Sequence, residues 1–382
     1  MIITNTEKPF AVFGTPIQNA VDQMEEALDN EHAVKGALMA DHHLGYDVPI
    51  GGVIAYRDHV NPAGVGYDIG CGNKAVELED CFVGDIEDDL NEIMDEVAVS
   101  IPSGVGHSSG LHADHEIFDS GFWDIPVLAE NKSMAMAQLG SIGSGNHYVD
   151  ILRDRFNHIW IGVHFGSRGI GHKVATHYIN LAKETGGLLD VNTDLGLEYI
   201  HAMALCGEYA RAGRDIVCAQ VAEIIGSPIE REIHNHHNFA WFEEVDGEML
   251  WVVRKGATPA YPKQSGFIGA TMGESSKIVT GQTSILSGYT MNSTVHGAGR
   301  LMSRSQAAGK SKWIKGKRTR VAEGAISQEM MDAAVGGVIL RGGGLDEAPQ
   351  AYKRLEEVIF AQGDTIRVTE NLVPLGVYMA GE

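Results

Sequence analysis

The run Thr294-Val295-His296-Gly297-Ala298-Gly299-Arg300 sets one imidazole among residues with almost no side chain and places a guanidinium four positions later. Gly297 and Gly299 can take backbone angles closed to other residues and turn amide N–H groups inward, while Arg300 offers a planar fork of donors. Such a loop lets a phosphate come close, with His296 as its only nucleophile or base. Taken alone, it reads equally as a glycine turn with an incidental histidine.

Further residues share that setting. Asp68 and Cys71 stand three apart between glycines in Gly66-Tyr67-Asp68-Ile69-Gly70-Cys71-Gly72, a spacing that lets a carboxylate and a thiol face one concave surface. His147 closes the glycine-rich run Gly143-Ser144-Gly145-Asn146-His147. His164 leaves the apolar run 159–163 and enters Gly166-Ser167-Arg168-Gly169, and His237 lies in His234-Asn235-His236-His237-Asn238. Four imidazoles (with His296), a carboxylate and a thiolate suit a transition-metal site, with two ions sharing the sulfur; ligand softness alone admits Zn, Fe, Co or Mn. Arg300, Lys255 and the hydroxyls of Thr271 and Ser276 are available for phosphate oxygens, so the chemistry indicated is metal-assisted phosphoryl or nucleotidyl transfer. Asp41-His42-His43 reads as a helix cap or a site. His107, His112 and His115 fall in an irregular polar loop with no rigid element to hold a metal.

The elements that must position these groups alternate between strand and helix patterns. Residues 51–55, 159–163 and 249–253 read as buried strands, the last two delivering His164 and Lys255 into glycine loops. Helical spacing marks residues 21–28, 86–97, most of 194–225, where Cys206 and Cys218 fit as small core residues, and 349–360. A chain of 382 residues, 44% hydrophobic and 21% charged, can bury a large core. No apolar run reaches the ~18 residues needed to span a bilayer, and the first residues lack a secretory pattern, so a cytoplasmic protein with no membrane partner is expected. Four cysteines in this length do not make a disulfide framework.

A net charge of −22 argues against indiscriminate binding to nucleic acid. The distribution differs from the total: residues 300–320 hold eight basic side chains (Arg300, Arg304, Lys310, Lys312, Lys315, Lys317, Arg318, Arg320) and no acidic one. Directly after a phosphate-friendly loop, that run reads as a local polyanion footprint.

The ordered blocks Asp41-His42-His43-Leu44-Gly45, Asp68-Ile69-Gly70-Cys71-Gly72, Gly143-Ser144-Gly145-Asn146-His147, His164-Phe165-Gly166-Ser167-Arg168-Gly169, His236-His237-Asn238, Arg254-Lys255-Gly256-Ala257, His296-Gly297-Ala298-Gly299-Arg300 and Asp346-Glu347-Ala348-Pro349 resemble the RtcB family of RNA ligases, nearly end to end. The resemblance implies a mixed α/β (α+β) fold of its own type, one large RtcB-like domain over residues 1–382, with central mixed sheets around a dinuclear metal site. It implies a GTP- and Mn²⁺-dependent enzyme joining RNA 3′-phosphate or 2′,3′-cyclic phosphate ends to 5′-hydroxyl ends, in RNA repair or tRNA splicing. By resemblance His296 is the guanylate acceptor, Cys71 bridges two Mn²⁺ ions, and Asp68, His147, His164 and His237 complete their shells. Asn146, Asp150, Thr271, Ser276, Arg300 and the Gly297-Ala298-Gly299 backbone surround the guanylate, and Asp41 stands near the reacting end as a catalytic group.

This chain departs from the family's pattern where the base should be read. Asp150 stands where members carry a glutamate, the chain ends Ala380-Gly381-Glu382 where a lysine-glycine pair is usual, Ala270-Thr271 replaces part of a Pro-Gly-Ser block, and Pro259 falls where arginine is common. These departures imply less strict base selectivity. The competing function from the same residues is a metal-dependent phosphohydrolase or nucleotidyl-modifying enzyme that does not seal RNA.

Overall fold

A computed structural model describes residues 1–104, 106–314 and 317–381. Two large sheets carry the architecture. The first has six strands in the order Ile2–Ile3, Ala11–Val12, Ala33–His43, Ile50–Tyr56, Glu248–Lys255, Asn238–Val245. The second runs Ile229–His236, Gly72–Phe82, His158–Phe165, Tyr148–Arg153, Ile366–Met379, Ser276–Gly281, Ser265–Ile268, with Ile339–Arg341 added in parallel on Ile366–Met379. Its two ends approach each other: Phe267 N donates to Asn235 Oδ1 at 2.9 Å and Asn73 Nδ2 to Phe267 O at 2.9 Å, so the sheet curls towards a barrel. Most pairings are antiparallel, and the parallel pair of Ala11–Val12 with Ala33–His43 makes the first sheet mixed as well.

Central strands read as near-continuous apolar runs because both faces are covered. Val53, Ile54, Ala55 and Tyr56 are all buried, as are Ile159, Trp160, Ile161 and Val163. The long helix Asp194–Ile225 starts at Thr193, whose hydroxyl accepts from Gly196 N, and stops at Gly226 in a left-handed conformation. It carries Tyr199, Met203 and Cys206 into one core and Val217, Cys218 and Val221 into a second, beneath the His158–Phe165 strand. Each large side chain fully buried this way contributes roughly 1.5–3 kcal/mol. All four cysteines are free. Among the described residues no helix is long and apolar enough to cross a membrane.

The expected elements at 21–28, 51–55, 159–163, 194–225 and 249–253 correspond to observed ones, and 86–97 to the helix Leu90–Ser100 preceded by a short turn of helix at Val83–Ile86. Two readings change. Asp41, His42 and His43 lie inside the strand Ala33–His43, not at a helix cap. The last helix begins at Leu355, because Pro349–Ala351 forms only a 3₁₀ turn ahead of it and Tyr352 is extended. Strand Ile366–Met379, which no sequence pattern marked, alternates in burial for only part of its length and ends in four consecutive buried residues.

Candidate active site

Strand register collects the chemistry on one edge of the larger sheet. Gly72 pairs with both His236 and Phe165, Asn73 pairs with His164, and Tyr148 pairs with His164. Neighbouring strands are antiparallel, so Cys71 before one strand, His164 near the end of the next, His147 before the third and His237 beyond the outermost strand all meet at the same rim. The close approach depends on glycine: a Cβ at Gly72 would sit 2.2 Å from Asn235 O, and one at Gly166 would sit 2.2 Å from Asp68 Oδ1.

At that rim the donor atoms of Cys71, His164 and His237 lie within 4.8 Å of one another, as do those of Asp68, Cys71 and His147. Cys71 belongs to both groups, with Sγ 3.8 Å from His147 Nε2 and 3.8 Å from His164 Nε2. The remaining ring nitrogens are held from behind: His147 Nδ1 lies 2.9 Å from Ile142 O and His164 Nδ1 lies 2.6 Å from Asn73 Oδ1, which turns each Nε2 towards the sulfur. His237 Nδ1 is buried without a hydrogen-bond partner among the described residues. Burial pushes His164 and His237 well below the usual imidazole range, keeping both in the neutral, ligating form. Burial would raise the Asp68 carboxyl, but His147 at 3.1 Å, Cys71 and His164 together outweigh it and hold it below the usual carboxylate range. The Cys71 thiol is driven up by burial and then by Asp68, so it becomes a thiolate only when a cation joins the cluster. A further grouping, Glu77, Asp154 and His158, is already served by Arg231, 3.0 Å from Glu77.

His296 follows the short strand Ser293–Val295, which pairs with Ala257–Pro259 just beyond Gly256. Its ring centroid lies 4.9 Å from that of His237. Asp41, fully buried, gathers three donors on one oxygen: Oδ2 accepts from His296 N at 2.9 Å, from Gly297 N at 3.3 Å and meets His296 Nδ1 at 2.6 Å. Burial opposes the charge on Asp41, yet the His296 contacts hold it below the usual carboxylate range. An ionised Asp41 can only accept, so Nδ1 is the donor of this pair, and the neutral ring would present its lone pair at Nε2. A Cβ at Gly299, where φ is +74°, would come within 2.2 Å of Asp41 O, so glycine is what lets the loop lie on the strand.

Beside His296 opens a cavity of about 250 Å³ lined by the Gly297-Ala298-Gly299 backbone, Asn146, Asp150, Thr271 and Arg300. Asp150 Oδ1 and Tyr148 OH are buried in its wall without a partner among the described residues. Burial pushes the Asp150 carboxyl well above its ordinary range. An unmet buried polar group costs about 1–3 kcal/mol, so this wall suits a ligand with polar edges. Across the cavity Arg300 donates to Glu347 Oε2 at 2.9 Å, Tyr352 OH at 2.7 Å and Met302 O at 3.0 Å, and Arg304 lies 3.0 Å from the other Glu347 oxygen.

Two residues expected to meet phosphate are placed elsewhere. Lys255 donates to Tyr46 O and Ala63 O and does not line the cavity; burial lowers it to about 8. Ser276 is buried behind the wall, where its hydroxyl accepts from Ala270 N at 3.0 Å. Of the basic run, Arg300 and Arg304 reach the cavity, and the rest follows in a hairpin of Gly309–Ile314 with Lys317–Glu323; Lys315 lies outside the described residues. Sequence reasoning missed Asn73 and Arg214. Arg214 falls on the apolar stripe of Met203, Cys206, Ala210, Val217 and Val221, and a cation on a buried stripe was the available signal.

Comparison with known proteins adds independent findings. The family described as "tRNA-splicing ligase RtcB" matches residues 23–123 and 114–380. The RNA-splicing ligase RtcB of Escherichia coli K12 is 30% identical over 380 residues, covering 88% of this chain and 88% of that protein. The tRNA-splicing ligase RtcB of Archaeoglobus fulgidus is 30% identical over 431 residues, covering 90% and 87%, and the Mycobacterium tuberculosis RNA-splicing ligase RtcB is 29% identical over 426 residues, covering 88% and 95%.

Proposed function

The chain belongs to the RtcB family of RNA-splicing ligases, and from that premise we propose that it seals RNA through a nucleotide held covalently on His296. The observation that carries this reading is the Asp41–His296 pair, set between a polar-walled cavity and a rim of metal-type donors. GTP occupies the cavity, its phosphates beside the Gly297-Ala298-Gly299 amides and Arg300. His296 Nε2 attacks the α-phosphorus: an N–P bond forms, the bond to the β-phosphate oxygen breaks, and pyrophosphate leaves. The ring becomes cationic as that bond forms, and Asp41 stabilises it through Nδ1–H. Guanylate then passes to an RNA 3′-phosphate, forming an O–P bond as the N–P bond breaks. The 5′-hydroxyl of the second RNA end attacks the activated 3′-phosphate and gives up its proton to water; a P–O bond forms as the bond to guanylate breaks, and GMP departs with the electron pair. A 2′,3′-cyclic phosphate enters after water opens it to the 3′-phosphate.

The donor set fits divalent cations such as the Mn²⁺ that the family resemblance implies: Asp68, Cys71 and His147 would hold one, and Cys71, His164 and His237 would hold a second. Bound there, such ions would supply positive charge against phosphate oxygens. Asn73 and Ile142 O keep the imidazoles aimed, and neutral His164 and His237 leave their lone pairs ready. Asp150 faces the base. Burial favours its protonated form, which offers one donor and one acceptor, and this supports a less strict choice of base.

Mass spectrometry after incubation with GTP and Mn²⁺ tests the reading. A GMP adduct absent from His296→Ala supports it, whereas nucleotide turnover without an adduct refutes it in favour of a phosphohydrolase.

A further inference from the structure

One fully buried cation, outside the donor set, touches three of the chain segments that bring donors to the rim of the large sheet, those of Cys71, His164 and His237. Arg214 sits in the middle of helix Asp194–Ile225 with 0% exposure. Its Nη1 donates to Gly70 O at 3.1 Å and, more closely, to Phe165 O. Its Nη2 lies 2.9 Å from His234 Nε2 and 3.0 Å from His236 Nδ1; that nitrogen also lies 2.9 Å from Gly70 O, and it accepts from the guanidinium or donates to the carbonyl according to its tautomer. Gly70 precedes Cys71, Phe165 follows His164, and His236 precedes His237. The guanidinium therefore lies within hydrogen-bond distance of the immediate chain neighbour of each of the three donors that come within 4.8 Å of one another.

The position explains the need. Strand ladders fix the strands in register up to Gly72, Phe165 and His236, and beyond them the chain leaves the sheet. Carbonyls at that margin have lost their ladder partners, and buried ones must be met from another element. A guanidinium is suited to the task because its donors are coplanar and rigidly spaced, so one group fixes several acceptors relative to one another. A lysine ammonium in the same place keeps the charge without the fork.

We propose that Arg214 is the positioning residue of the metal centre, holding the Cys71, His164 and His237 segments at the spacing a divalent cation requires. The inference rests on the metal assignment under Proposed function. Loss of the fork lets three segments relax independently, and positional slack of a few tenths of an ångström at each donor lowers metal affinity by the 10- to 100-fold typical of supporting groups around metal sites. Nucleotide chemistry at saturating metal is less affected, because Arg214 touches neither His296 nor the cavity.

The test uses the full chain and Mn²⁺ alone, with free Mn²⁺ followed by electron paramagnetic resonance. Arg214→Lys is expected to weaken Mn²⁺ binding at least tenfold, while the rate of adduct formation at saturating Mn²⁺ changes less than about threefold. Mn²⁺ affinity within twofold of the unaltered chain overturns the proposal. Thermal unfolding in EDTA checks folding; should Arg214→Lys not fold, His234→Leu removes one anchor of the guanidinium at a partly exposed position, and a three- to tenfold weakening is expected, with unchanged affinity overturning the proposal. An unaltered chain that binds Mn²⁺ but forms no adduct refutes the ligase chemistry and leaves Arg214 testable, and one that binds no Mn²⁺ refutes both.

Discussion

Replacing Asp41 by asparagine should slow guanylylation of His296 while leaving the fold and nucleotide affinity nearly intact. Asparagine is isosteric and its amide oxygen still accepts from His296 N and Gly297 N, now at 2.9 and 3.3 Å, so the loop stays on the strand. What disappears is the full negative charge 2.6 Å from Nδ1. Only the part of that interaction that grows between ground state and transition state affects the rate. Two unit charges centred about 4 Å apart interact by about 4 kcal/mol at an effective dielectric of ~20, and a ring carrying roughly half a positive charge in the transition state takes about 2 kcal/mol of it. That corresponds to a rate reduction of roughly 30-fold, at about 1.4 kcal/mol per factor of ten. The assay is single-turnover labelling of His296 from radiolabelled GTP at saturating Mn²⁺, with the concentration for half-saturation measured in parallel. A rate within about threefold of the unaltered protein would refute the role assigned to Asp41, as would a loss confined to GTP affinity.

Asp150→Asn should stabilise the protein at neutral pH. Burial raises the folded-state carboxyl, so the unfolded chain gives up this proton first; stability is lost as pH rises above the unfolded value near 3.8 and until the folded group ionises. The gain in melting temperature should therefore be present at pH 7 and vanish near pH 3.5, and a gain independent of pH would contradict the cause. Gly299→Ala should cost roughly 2 kcal/mol or more, since it combines a side chain at φ +74° with a Cβ 2.2 Å from Asp41 O. Denaturant titration measures this, and adduct formation should fall with it, because the strained loop carries His296.

The candidate donors were legible because chemistry restricts them: thiol, imidazole and carboxylate beside glycines at apolar run ends are rare in combination, and Asp68, Cys71, His147, His164 and His237 do converge on one rim. Lys255 and Ser276 show the limit of that reasoning. Both residue types suit phosphate, but Lys255 is taken by Tyr46 O and Ala63 O, 209 and 192 positions away, and the Ser276 oxygen accepts from the Ala270 amide, and such pairings leave no trace in residue type. Asp41 was legible as a polar residue near the reaction, yet its contact with His296 spans 255 positions and depends on how the six-stranded sheet lies against the His296 loop.

By itself, then, the sequence determined which groups this protein can bring to bear, together with the buried strands and the long helix that carry them, since apolar periodicity and glycine are local properties. It also determined the family, through ordered blocks spread along nearly the whole chain. Only the tertiary structure decided which oxygen holds His296, which cation secures the donor segments, and which of several suitable side chains face the cavity. Those outcomes depend on antiparallel register and on buried acceptors finding partners, and both are settled between segments far apart in the chain.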